Sequence, residues 1–504
     1  MQIERQPRSS LLLATVDCLR GDHTGFGGYA IPTTPFLDSV AAEGLTFPTA
    51  IVGGTPTYYS FPTLFASRSP LVFGRDVIGL APQEFSLPVL LRSAGYATAA
   101  FVAGNPYLTR HFGYDQGFDT FCDFMGPGEV DRTEPSRDRN TSTVGKKFRS
   151  QVNLCLAKTS EAMGLASLYE ELYFRVCQRK SNLAGAAIGR EYPAADQLVD
   201  SATEWLQTNS AQPFFLWLHF MDTHAPYCPS ADALAALGHP EIEPEQLRYF
   251  NAFWNRNLPP ARLRPMRDSM IALYDSGLRW VDEQLNRLIA HLKQLSLWQN
   301  TAFVFTADHG EEFLELGGRY HSPPQLYDEM VRVPLLLRVP GVPGRMLPDA
   351  PFSLLNLSPT LLDILRIKSP DSFEGHSIWP VLQMQARWSG PAIVEAITGC
   401  SNPFRALQRM GARLLAVREE QFKLILDCQN GTEQLFDLHS DPHEMQPLPH
   451  NAEKAVRIRL LEHARTHFQN VGKKRDPVAR ADAKLRDLKR SLAVGNSRVK
   501  RQSC

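Results

Sequence analysis

Residues 301–312, Thr-Ala-Phe-Val-Phe-Thr-Ala-Asp-His-Gly-Glu-Glu, constrain the fold more than any other stretch. The first five are apolar or β-branched, the texture of a strand buried on both faces. Asp308, His309 and Gly310 then arrive together. Such an ending is either an acidic turn or part of a metal site, since ligands of open α/β sheets sit beyond the carboxyl ends of the strands. Residues 11–16 make a second apolar run, closed by Asp17. Residues 214–220 make a third, which leads into Met-Asp-Thr-His-Ala-Pro-Tyr. Helical patterns separate these runs, so the chain is expected to be α/β, with a large, mainly parallel sheet flanked by helices.

The periodicity predicts helices over residues 36–43, 58–66, 87–94, 157–179 and 194–207. A long amphipathic helix is expected over 266–295, with Ile271, Tyr274, Leu278, Val281, Leu285, Leu288 and Leu292 on one face. Residues 96–102 and 333–339 read as strands, and 45–51 as extended chain. A helix over 358–365 has Ser358 as its cap and Pro359 at its first position. After residue 390 the texture changes to short strands over 392–396, 414–418, 422–426 and 434–438, with an Asn430-Gly431 turn and a helix over 455–468. The implied division is a catalytic domain over 1–388, with insertions about 122–200 and 228–265. A small C-terminal α+β subdomain over 389–471 and a basic tail over 472–504 follow.

A formal net charge of +0 argues against nucleic acid as a partner. The 8 cysteines lack CxxC pairs, so neither a zinc module nor a disulfide framework is indicated. The apolar run at 11–16 is too short for a signal peptide or a membrane span. A cytoplasmic location is the default expectation. The basic tail is either solvated or docks on an anionic membrane. Oligomeric state is not readable.

Asp17, Thr57, Asp308 and His309 lie at strand ends or in adjoining loops. Two acids, a hydroxyl and an imidazole suit one divalent ion; the imidazole favours Mn²⁺ or Zn²⁺ over Ca²⁺ or Mg²⁺. A bound ion would activate the Thr57 hydroxyl as a nucleophile. His224 and His321 are candidates to protonate a leaving group, and Asn105, Arg20, Lys423 and Arg332 to bind the oxygens of a tetrahedral anion. Each has a bland alternative. Asp at a strand end often caps a turn, Arg20 can pair with Asp22, Arg332 can be a solvated surface charge, and His219 reads as a hydrogen-bonded core histidine.

The order of local words resembles the sulfatase family of the alkaline phosphatase superfamily. Val-Asp-Cys-Leu-Arg-Gly-Asp-His at 16–23 is similar to its opening motif, as is Pro-Thr-Thr-Pro-Phe-Leu-Asp at 32–38. Asp222-Thr223-His224-Ala225-Pro226-Tyr227 resembles the central histidine motif. Asp308-His309-Gly310, His321, Leu326-Tyr327-Asp328-Glu329 and Val333-Pro334-Leu335 are similar to the metal and post-metal segments. The likeness runs in order over residues 11–450. It implies a metal-dependent hydrolase or transferase acting on a small or glycan- or lipid-linked anionic ester.

Two departures matter. Sulfatases carry a Cys or Ser that becomes formylglycine; here the matching position is Thr57, without the Pro and Arg of that motif. The resemblance therefore implies cleavage of a phosphate diester, phosphonate or sulfate ester through a covalent threonine ester, with Thr55 as the fallback nucleophile. The usual second acid of the first strand is Cys18, which removes one oxygen ligand. Two alternatives remain: a true sulfatase without formylglycine, and an inactive protein that binds an anionic glycan or lipid.

Overall fold

The computed structural model describes residues 8–75, 77–125, 192–240, 242, 247, 251, 267–316, 320–321, 325–400, 403 and 407–473. The helix expected over 157–179, much of both insertions and the tail beyond residue 473 lie outside these. In chain order the described core contains β1 (Ser10–Val16), α1 (Pro35–Ala41), β2 (Leu45–Thr46), β3 (Ala50–Ile51), α2 (Thr57–Ala66), α3 (Leu87–Ser93), β4 (Ala97–Val102), β5 (Thr120–Cys122), α4 (Ala195–Asn209) and β6 (Phe214–Phe220). Then come α5 (Arg267–Gln294), β7 (Thr301–Ala307), α6 (Asp328–Val331), β8 (Arg332–Val333), β9 (Leu335–Arg338), β10 (Arg345–Met346), β11 (Phe352–Ser353) and α7 (Leu357–Ile364).

Eight strands form one sheet in the order β10-β2-β9-β7-β1-β6-β4-β5. β1 runs parallel to both β6 and β7, and β4 runs parallel to β6 and β5. β9 is antiparallel to β7. Every residue of β1, β6 and β7 is buried. Successive side chains point to opposite faces, so both faces of the sheet are covered there. This is why these strands read as unbroken apolar runs and not as alternating ones. The fold class is the one expected.

The departures are local. Residues 45–51 divide into β2 and β3, which belong to different sheets. Residues 333–339 break at Pro334, which has no N–H for a ladder, so β8 joins β3 and β11 while β9 joins the large sheet. Ser358 is not a cap. Asn356 precedes α7, and the buried Ser358 hydroxyl donates to the Leu64 carbonyl, tying α7 to α2.

Helix α5 buries Leu278, Val281, Leu285, Leu288 and Leu292. It also orders the loop after β1: the Tyr274 hydroxyl donates to the Cys18 carbonyl at 2.8 Å and accepts from the Arg20 N–H at 2.9 Å. Asp282 accepts the N–H groups of Phe36 and Leu37 at 2.9 and 2.8 Å, so it closes the first turn of α1 from a distant helix.

The C-terminal sheet is antiparallel: β12 (Ala392–Ile397), β13 (Arg413–Arg418), β14 (Phe422–Asp427) and β15 (Thr432–Asp437) lie in sequence order. Leu415, Val417, Leu424 and Leu435 pack with Val456, Leu460 and Ala464 of α8 (Lys454–Lys473) into a core of their own. Ala392, Val394 and Ala396 of β12 instead join the main core. Among the described residues, no helix is long and apolar enough to cross a membrane.

Candidate metal and active site

The carboxyl ends of β1, β6 and β7 converge on one buried cluster. Asp17 follows β1, Asp308 and His309 follow β7, and Thr57 is the first residue of α2. All four are buried. Thr57 Oγ lies 3.5 Å from Asp17 Oδ2 and 3.3 Å from His309 Nε2. His309 Nε2 is 3.7 Å from both Asp17 Oδ1 and Asp308 Oδ2. His309 Nδ1 contacts the Gly310 carbonyl at 2.8 Å, so the proton resides there in the neutral ring and Nε2 faces the acids. The α2 N-terminus adds a partial positive potential at Thr57.

The electrostatics fit a divalent cation. Asp308 Oδ2 is buried and has no hydrogen-bond partner, and a carboxylate so placed is costly without positive charge nearby. Burial, then the charge of Asp17, pushes the Asp308 carboxyl up to about 6. Burial also opposes ionisation of Asp17, but the His219 hydrogen bond and the charges of His224 and His309 overcome it and hold Asp17 far below the usual carboxylate range. His309 is raised against burial by Asp308 and Asp17. A bound cation would compete with a proton on His309 for the same two acids.

His219 was expected to be a core histidine and lies inside the site. Its Nδ1 is 2.9 Å from Thr15 Oγ, and its Nε2 is 3.4 Å from Asp17 Oδ2. Asp17, His219 and Asp308 offer ligand atoms within 4.8 Å of one another. The signal was available only through strand pairing, because the parallel register of β1 and β6 sets Thr15 opposite His219. His219→Ala should weaken metal binding by about 10–100-fold, read by chelator competition. Unchanged affinity would return His219 to a packing role.

Three residues expected to bind substrate are engaged elsewhere. Asn105 Nδ2 donates to Asp17 Oδ2 at 2.7 Å, so Asn105 orients the candidate ligand. Arg20 is buried and bonded to Asp22 and Glu315 at 2.7 and 2.8 Å, the bland alternative extended to a second acid. Lys423 is buried between Asp328 and Glu444 at 2.7 and 2.9 Å. Acids already neutralise both cations. Half-buried Arg332 reaches the 3₁₀ turn after β1, its Nε near Gly21. The fallback Thr55 turns away, its hydroxyl donating to the Gln325 carbonyl at 3.3 Å.

His224 and His321 do lie beside the cluster. Their ring centroids are 5.0 Å apart, and His321 is 5.1 Å from His309. Burial pushes His224 down to about 4 and, with the charge of His309, His321 down to about 3. Both are neutral near pH 7, which suits electron-pair donors better than the proton donors expected from the sequence. Cys18 and Glu311 border the same two rings. Neither was singled out as a site residue.

The Sulfatase family model matches residues 10–367, and a model described as N-sulphoglucosamine sulphohydrolase, C-terminal, matches 318–469. Arylsulfatase K of Canis lupus familiaris is 27% identical over 281 residues, 49% of this chain and 50% of that protein. The chain thus spans about half the length of the arylsulfatase K relatives it matches. An arylsulfatase of Clostridium perfringens is 22% identical over 497 residues, covering 90% of this chain and 93% of that one. A protein solved with its substrate D-glucosamine-2-N,6-O-disulfate superposes with a TM-score of 0.65 at 18% identity, over 93% of this chain and 99% of that one. The phosphonate monoester hydrolase of Agrobacterium radiobacter gives 0.60 at 18% identity, over 93% and 96%. The structural likenesses establish the fold; with the family model matching residues 10–367, the chain belongs to the sulfatase family.

Proposed function

We propose that this chain is an ester hydrolase or transferase that cleaves a phosphate diester, a phosphonate or a sulfate ester through a covalent ester on Thr57. The observation that carries this reading is the Thr57 hydroxyl, buried at the N-terminus of α2 between Asp17 and His309. A divalent ion held by Asp17, Asp308 and His309 would lower the pKa of an adjacent hydroxyl and offset oxyanion charge.

Thr57 Oγ, its proton lost to solvent, forms the new bond to phosphorus or sulfur as the bond to the leaving oxygen breaks, and the leaving oxygen takes a proton from water. Water, or an acceptor hydroxyl, then attacks the threonine ester and restores Thr57. Asn105 and His219 hold Asp17 in place, through its Oδ2. The helix N-terminus favours negative charge where the threonine oxygen reacts.

A sulfuric ester hydrolase is the second reading, favoured by the arylsulfatase relatives. An anionic glycan substrate is compatible with both. A panel of aryl phosphodiesters, phosphonate monoesters, phosphomonoesters and aryl sulfates separates the two. Diester or phosphonate turnover is expected to exceed sulfate turnover. Sulfate turnover well above the others would reverse the order, and no turnover of any member by metal-loaded protein would favour a binding role.

A further inference from the structure

We propose that Cys18, His224 and His321 form a second divalent-metal site beside the Thr57 cluster, and that its donors select zinc. Their ligand atoms all lie within 4.8 Å of one another. Cys18 Sγ and His321 Nδ1 are 3.4 Å apart. Sulfur and nitrogen on one tetrahedral zinc ion are about 3.5 Å apart, given bond lengths of about 2.3 and 2.0–2.1 Å. Thiolate and imidazole together suit zinc and disfavour calcium and magnesium.

The surroundings support a built site. Glu311 is buried at 0% exposure; its Oε1 is 3.3 Å from His321 Nδ1, and its Oε2 has no hydrogen-bond partner. It is placed to be the fourth ligand. His224 Nδ1 bonds the Ala225 carbonyl, which makes Nε2 the electron-pair donor of the neutral ring. Metal-bound histidines are oriented in this way.

Cys18 adopts φ 60°, a left-handed conformation that disfavours side chains other than glycine. The Tyr274 hydroxyl on its carbonyl and Asp308 Oδ1 on its N–H, at 2.8 and 3.3 Å, hold it there. Asp17 adjoins both clusters: Oδ1 accepts from the Cys18 thiol at 2.9 Å, while Oδ2 faces Thr57, Asn105 and His219. Binding displaces the thiol proton to solvent, so affinity for this ion falls in acid. The sequence suggested one ion and read Cys18 as a lost ligand. Here the same substitution creates a new ligand.

The test uses the full chain, stripped by chelator and reloaded with Zn²⁺ or Co²⁺. Elemental analysis is expected to find two ions per chain in the wild type and one in Cys18→Ser and in His321→Ala. The cobalt form should show a thiolate-to-metal charge-transfer band in the near ultraviolet. That band should vanish in Cys18→Ser and persist in Asp308→Asn, which loses the other ion. Circular dichroism confirms that each variant is folded. One ion per chain with no thiolate band, or two ions retained in both Cys18→Ser and His321→Ala, overturns the proposal. A single ion that gives the band supports the Cys18 site only if the band persists in Asp308→Asn; a band lost with Asp308 puts Cys18 on one ion with Asp17 and His309 and overturns the proposal.

Discussion

Thr57→Ala is expected to lower turnover by about 10⁴-fold or more, the scale seen when a nucleophile is deleted. Fold stability should change little, because the substitution removes only a hydroxyl and a methyl, and its cost stays within about 2 kcal/mol. Thr57→Ser keeps the oxygen and should recover part of the rate. Thr55→Ala should remain active, since its hydroxyl contacts the Gln325 carbonyl and not the acids. Rapid quenching followed by peptide mass analysis should find the transferred group on the peptide containing Thr57. Wild-type turnover by Thr57→Ala would move the attack to another oxygen, and an adduct on a different peptide would identify it.

Lys423→Met is expected to destabilise the protein by about 3–5 kcal/mol, the cost of removing one partner from a buried ion pair. Its ammonium, on β14, bonds Asp328 at the start of α6 and Glu444 beyond β15. The Glu444 carboxylate also accepts the Asp328 N–H. Removing Lys423 leaves two buried carboxylates facing each other where the C-terminal sheet meets the main body. The triple change Lys423→Met, Asp328→Asn, Glu444→Gln should recover part of the loss, because the two acids no longer face each other, while Arg418 loses its ion-pair partner Asp328.

Burial opposes ionisation of Asp328, but the charges of Lys423 and Arg418 hold it down at about 2. A carboxylate depressed in the folded state contributes stability above its unfolded value of about 3.9. That contribution is lost as pH falls toward about 2. Denaturant melts between these limits should show a falling midpoint in the wild type and a flatter one in the triple variant. Equal stability of Lys423→Met and wild type at pH 7 would show that the cluster is hydrated in solution.

The parts of the fold legible in the sequence were those whose physics is local. β6 matches its expected bounds residue for residue, and β1 and β7 nearly so, because strands buried on both faces are uniformly apolar. Asp17, Asp308 and His309 were visible because they end those strands. What the sequence concealed depends on which strand lies beside which. His219 looks like any core histidine until β1 brings Asp17 to it. Lys423 and Arg20 look like anion binders until Asp328, Glu444 and Glu315 are seen across from them. Cys18 and Glu311 gain chemical meaning only when His224 and His321 close on them. Pro334 and Ser358 were misread for a related reason: a sheet partner and a helix-to-helix bond decide their roles.

The central position of β1 also has a consequence for how the chain is made. Its neighbours arrive late: Thr15 bonds His219 across 204 residues, and the Cys18 N–H bonds Asp308 across 290. At about 5–20 residues per second of synthesis, the first strand waits roughly 15–60 s for its last partner. Until β6 is made, Leu11, Leu12 and Leu13 have no strand to pair with, so the nascent chain presents a sticky segment that a chaperone or a neighbouring ribosome's product can capture. Pairings this distant in sequence also fold slowly once synthesis is complete. Capture of an ion by Asp17 and Asp308 would therefore wait until the ends of β1 and β7, about 290 residues apart in sequence, have met.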